Sequence, residues 1–147
     1  RSKMYDKIIQ GVDAEASVIG KACPLFVPLV ENGRIAPDDA ILKLAVEEYL
    51  TPIRDTGVDT LILGCTHYPI ISEAIGNFMG KDVVLINPGA EAANYLSTLE
   101  ELSFPTDSVG TSRFFVSDDA EGFSYQASMF LGREIGEQVE LVNIENF

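Results

Sequence analysis

Short apolar runs alternating with stretches of helical periodicity are what most constrain this chain. Leu42, Ala45, Val46, Tyr49, Leu50 and Ile53 fall at spacings of three, one and four, the stripe of one helix face. Gly57 breaks that pattern. Thr60 to Leu63 then forms a run too short for a helix and apolar enough for a buried strand. The same alternation continues downstream. A helix is expected from about Pro69 to Met79, a strand over Val83 to Ile86, and a helix over "NPGAEAANYLSTLEEL". "TDSVGTS" reads as a loop and Arg113 to Val116 as a strand. A helix over Asp119 to Leu131 carries Phe123, Ala127, Phe130 and Leu131, and Val139 to Ile144 is a closing strand. Strands separated by helices imply βαβ units, hence an α/β fold with a mainly parallel sheet and helices on both faces.

The upstream part is less regular. Residues 3 to 12 predict a short helix and Ser17 to Ala22 a strand. "CPLFVPLVENG" contains two prolines, which favours an extended loop over a ladder strand. Pro37-Asp38-Asp39 is expected to open the next helix, since proline suits a first turn and carboxylates suit the positive end of the dipole. Pro52 is expected to kink or end it.

The net charge of −13 argues against a nucleic-acid partner, because phosphate binding needs clustered Lys and Arg. After Lys81 the only cations are Arg113 and Arg133. No apolar run approaches the roughly 18 residues of a membrane span. Arg1-Ser2-Lys3-Met4 offers no apolar run of the signal-peptide type, so a cytoplasmic location with reduced thiols is expected. Position 1 is not Met, and the chain is expected to be a piece of a longer one. With two cysteines, no CxxC and one histidine, a zinc set is not expected. Gly89 and Gly110 belong to no GxGxxG or Walker pattern, so no nucleotide cofactor is read. Asp118-Asp119 reads as a helix start and not as a metal site.

The chemistry concentrates in "LILGCTHYPII". Cys65 stands where a strand ends and a helix begins, and functional groups of open α/β sheets gather beyond strand carboxyl ends. Backbone N–H groups at a helix start favour a thiolate, and a protonated His67 would act in the same direction. Thr66 adds a hydroxyl. Either Cys or His alone is commonly structural; together at this turn they point to function. Cys23, in an apolar run and followed by proline, reads as structural. Glu31, ahead of an Asn-Gly turn, reads by itself as a surface acid.

"LGCTHYP", Leu63 to Pro69, resembles the second cysteine motif of glutamate racemases, and "ACPLFVPLVENG", Ala22 to Gly33, resembles an upstream segment of that family. Pro88-Gly89 and the "FLG" at 130 to 132 are similar as well. The resemblance covers nearly the whole chain. It implies cofactor-independent interconversion of L- and D-glutamate, with D-glutamate supplied to peptidoglycan for cell-wall biogenesis and cell shape. It also implies that two cysteines flank Cα, one removing a proton and the other delivering one. By position, Cys65 would be one of these thiols and His67 its assistant. Thr66 would contact the amino acid, and Glu31 would lie near that half of the site. No metal or pyridoxal lysine is implied.

The family's Asp-Ser pair after an early strand and its Cys-Asn-Thr segment are not found here. Asp107-Ser108 precedes a strand and takes no role, and Cys23 does not match the missing base. The resemblance therefore implies a C-terminal portion, inactive alone. In it, residues 1–87 would form the domain bearing the Cys65 half-site. Residues 88–147 would complete a second domain whose main part is lacking. Apolar surface so left open implies a homo-oligomer. Two other readings stand beside this one. A Cys-His thiol hydrolase or transferase would form a covalent acyl intermediate. A racemase-derived domain could instead bind an amino acid without turnover.

Overall fold

A computed structural model describes residues 3–99 and 110–146. The chain divides into two compact units, Arg1–Gly89 and Ala90–Phe147.

The first unit begins with helix α1 (Met4–Val12), none of whose residues is buried. Ser17 to Ala22 is not a strand; those residues are irregular and pair with nothing regular. A strand exists only where a neighbour completes its ladder, and none of the described residues does so here. The "CPLFVPLVENG" run is also not the expected loop. It forms α2 (Phe26–Glu31), which buries Phe26 and Val30 one turn apart. Pro28 is tolerated because it occupies the first turn, where its missing N–H would have no intrahelical partner.

Helix α3 (Ala40–Arg54) buries Leu42, Ala45, Val46, Leu50 and Ile53, with Tyr49 partly buried beside them. Its start lies later than Pro37, which sits in a turn before it. Asp39 is the N-cap, its carboxylate accepting from the N–H of Ile41 (3.0 Å) and Leu42 (2.9 Å). The hydrogen bond from the Leu42 N–H, helped by Arg34 at 2.8 Å, holds the Asp39 carboxyl below its ordinary value. The helix runs two residues beyond Pro52, which falls in its last turn, and Gly57 follows at φ 75°, a left-handed turn conformation suited to glycine.

Strand β1 (Thr60–Ile62) pairs in parallel with β2 (Val84–Ile86), in register Thr60 to Val84. A parallel pair requires a crossover. Here it is a short 3-10 turn, Tyr68–Ile71, and α4 (Ser72–Met79), which packs on α3 and buries Ala74, Ile75 and Met79. Asn87 Oδ1 accepts from the Gly89 N–H at 3.0 Å as α5 (Pro88–Ser97) begins, with Pro88 at its first position.

In the second unit, β3 (Phe114–Val116) and β4 (Val139–Leu141) are parallel and joined through α6 (Ala120–Leu131). Asp119 caps α6 by accepting from the Gly122 N–H at 2.9 Å, as the Asp118-Asp119 pair suggested. Ile135 is the one buried hydrophobic side chain among the described residues of this unit. The α/β class and parallel pairing hold, with the strands among the described residues divided between two two-stranded sheets. The expected loop over 106–109 and the helical continuation over 100–102 lie outside the described residues.

Leu42 is wholly buried and Leu44 is 66% exposed on the same helix. Leu42→Ala should therefore cost about 2–5 kcal/mol and Leu44→Ala under about 0.5 kcal/mol, read by urea denaturation. Asp39→Ala should lower the melting temperature at pH 7. Because the folded-state carboxyl is held down, that cap stabilises above the unfolded Asp value of about 3.9. The gap between wild type and D39A should close as pH falls through the folded value.

Candidate active site

Strand β1 delivers the chain to the site. Its ladder extends one residue, Leu63 N–H donating to the Ile86 carbonyl at 2.9 Å. The backbone then coils tightly. Gly64 N–H donates to the Ile62 carbonyl and Cys65 N–H to the Leu63 carbonyl, both at 2.9 Å, consecutive three-residue turns of a kind common at strand ends. The Tyr68 N–H donates to the Cys65 carbonyl at 3.2 Å and leads into the 3-10 turn. Cys65 is left half-buried at the carboxyl end of β1.

His67 is held on both ring edges. Nε2 lies 3.3 Å from Glu31 Oε1, and Nδ1 lies 3.3 Å from Thr66 Oγ1. The imidazole therefore lies between a carboxylate on one edge and a hydroxyl on the other. The pair is half-open to solvent, His67 at 21% and Glu31 at 40% side-chain exposure. Glu31 is thus no isolated surface acid. It ends α2, which carries it to the imidazole, so Glu31, Thr66, His67 and Cys65 share one locality assembled from α2 and the β1 turn.

Cys23 stands apart in character. It is a free thiol, 3% exposed and part of the core, and burial pushes its pKa up from the ordinary value. Its Sγ lies 3.9 Å from the Lys21 carbonyl, a weak polar contact. Two further tyrosines bear on the turn. The Tyr68 hydroxyl donates to the Cys23 carbonyl at 3.2 Å, and the Tyr5 ring of α1 packs beside Gly64, where an added Cβ would sit 3.6 Å from it. Tyr68 was visible in the motif as a phenol on the turn. Tyr5 gave no local signal, because its contact is tertiary. No three His, Cys, Asp or Glu side chains among the described residues converge as a metal set, and no described helix is long and apolar enough to cross a membrane.

No family model matches the chain. Individual proteins do. It is 40% identical to a glutamate racemase of Geobacter metallireducens over 140 residues, 93% of this chain and 51% of that protein. Its fold matches the crystal structure of glutamate racemase from Francisella tularensis in complex with D-glutamate at TM-score 0.84 and 34% identity, covering 99% of this chain and 55% of that one. A Bacillus anthracis glutamate racemase isoform matches at TM-score 0.79 and 32% identity, over 97% of this chain and 53% of its own.

Nearly the whole chain matches glutamate racemases, in sequence and in fold. It spans about half the length of the curated relatives it matches. The family likeness runs through both the Cys65 turn and the α2 segment that brings Glu31 to it, since the matched region takes in nearly all residues. Native iodoacetamide treatment followed by peptide mapping should label Cys65 at least about tenfold faster than Cys23, whose thiol is buried and held protonated. Equal labelling in a folded sample would contradict the distinction.

Proposed function

We propose that the protein to which this segment belongs is a cofactor-independent glutamate racemase, and that Cys65 is one of its two acid/base groups. The observation that carries the reading is the Cys65 turn on a chain that matches glutamate racemases, with an adjacent imidazole held between Glu31 and Thr66. Inversion at Cα needs a base on one face and an acid on the other. In one direction the Cys65 thiolate takes the Cα proton, leaving a carbanion that a second acid protonates from the opposite side. In the other direction Cys65, as thiol, delivers the proton. His67 is the proton partner of Cys65, oriented by Glu31, and Thr66 contacts the bound amino acid. D-glutamate so formed would feed peptidoglycan synthesis in the cytoplasm. Residues 1–87 serve as the domain bearing this half-site and 88–147 as a segment completing a second domain.

Cys23 cannot supply the opposing face, being sealed in the core and held as thiol. The 147-residue chain alone should therefore racemise glutamate little or not at all, followed by circular dichroism of D-glutamate. In the whole gene product, Cys65→Ser should reduce kcat on the order of 10²- to 10⁴-fold while Cys23→Ser stays within about threefold. Robust turnover by the isolated chain, lost in C65S, would overturn the half-site reading. Cα hydrogen–deuterium exchange separates proton abstraction from the covalent acyl chemistry of a thiol hydrolase.

The second unit exposes Phe115, Tyr125, Leu131 and Leu141. That surface supports self-association as a homo-oligomer. Light scattering after size exclusion should show dimers or larger species, and a monomer at every concentration would refute it.

A further inference from the structure

We propose that Tyr68 is a positioning residue for the Cys65–His67 turn, its hydroxyl clamping that turn to the start of α2 and so keeping His67 in register with Glu31. The proposal deepens the racemase reading and rests on it for its catalytic consequence.

The Cys23 carbonyl is the junction. It accepts from the Phe26 N–H at 3.1 Å, which begins α2, and from the Tyr68 hydroxyl at 3.2 Å, across 45 residues of sequence. At its other end Tyr68 is tied to the Cys65 carbonyl through its own N–H. One side chain thus spans the backbone of the reactive turn and the backbone that launches the helix bearing Glu31. The Tyr68 ring also meets Phe26 edge to face, centroids 5.3 Å apart at 81°. Burial, reinforced by the neighbouring Cys23 and Cys65 sulfurs, raises the phenol above its ordinary pKa, so the hydroxyl remains a donor wherever the enzyme would work. In this arrangement residue 23 contributes its carbonyl, and its thiol is packing. That accounts for a cysteine beside the site that the acid/base scheme does not use.

The test separates the hydroxyl from the ring. Tyr68→Phe keeps the Phe26 contact and removes only the donor; Tyr68→Leu removes both. The chain has one histidine, so nitrogen-detected NMR of the imidazole reports His67 alone. In folded Y68F, the His67 nitrogen shifts should move, and Cys65 alkylation should change about two- to tenfold, the effect of one lost hydrogen bond. Cys23 should stay protected. In the whole gene product, kcat should fall with KM unchanged, and C23S, which keeps the residue 23 carbonyl, should stay within about threefold of wild type in kcat and in Cys65 alkylation. Wild-type nitrogen shifts and alkylation in folded Y68F would overturn the proposal. These two readouts need no turnover. Failure of the racemase reading would instead show as C65S retaining activity, whatever Tyr68 does.

Discussion

The edge-on packing of Phe26 holds the first unit together. Its ring meets Tyr49 of α3 at 5.5 Å and Tyr68 of the reactive turn at 5.3 Å, both near perpendicular. Aromatic pairs in this geometry contribute about 0.5–1.5 kcal/mol beyond the area they bury. One buried side chain therefore couples the amphipathic helix, the short helix carrying Glu31 and the turn carrying Cys65. A six-residue helix has little stability of its own, since nucleation is costly and few hydrogen bonds follow it. α2 exists because Phe26 and Val30 are buried, and Glu31 reaches His67 because α2 exists.

The site combines a rigid source with a partly open end. Parallel pairing of β1 with β2 fixes where the strand stops, and two tight turns aim Cys65 and His67 beyond it. Glu31 and Thr66 bracket the imidazole, so neither ring nitrogen is left to rotate freely among water molecules. Rotational restraint of this kind matters in proton transfer, where reach and alignment come before acidity. The two thiols of the chain illustrate opposite uses of one residue type. Cys65 is half-buried at a strand end, and Cys23 is sealed in aliphatic and aromatic surroundings that penalise its charge.

Much of this was legible in residue order, and the exceptions share a cause. The α3 stripe, the β1 and β2 runs and the helix start at Asp118-Asp119 are local signals, readable from spacing and side-chain chemistry, whereas Asp39, expected in a first turn opened by Pro37, is instead the cap before it. Ser17 to Ala22 misled because strand-like composition does not supply a partner. "CPLFVPLVENG" misled in the other direction. Proline counts against regular structure in general but not in a first helical turn, and only the burial of Phe26 and Val30 decides which case applies. For Glu31 the residues alone offered a surface acid, and the family resemblance placed it near the site. Its contact with His67 is a product of packing.

By itself the sequence determined the α/β alternation, the thiol and imidazole on one strand-end turn, and the likeness to glutamate racemases, because periodicity and short motifs are properties of neighbours in the chain. Tertiary structure alone decided that Glu31 meets His67 and that Tyr68 reaches back to the Cys23 carbonyl. Those relations join residues tens of positions apart. They arise only when burial of Phe26 and the α3 stripe brings the segments together, and no local pattern encodes that distance.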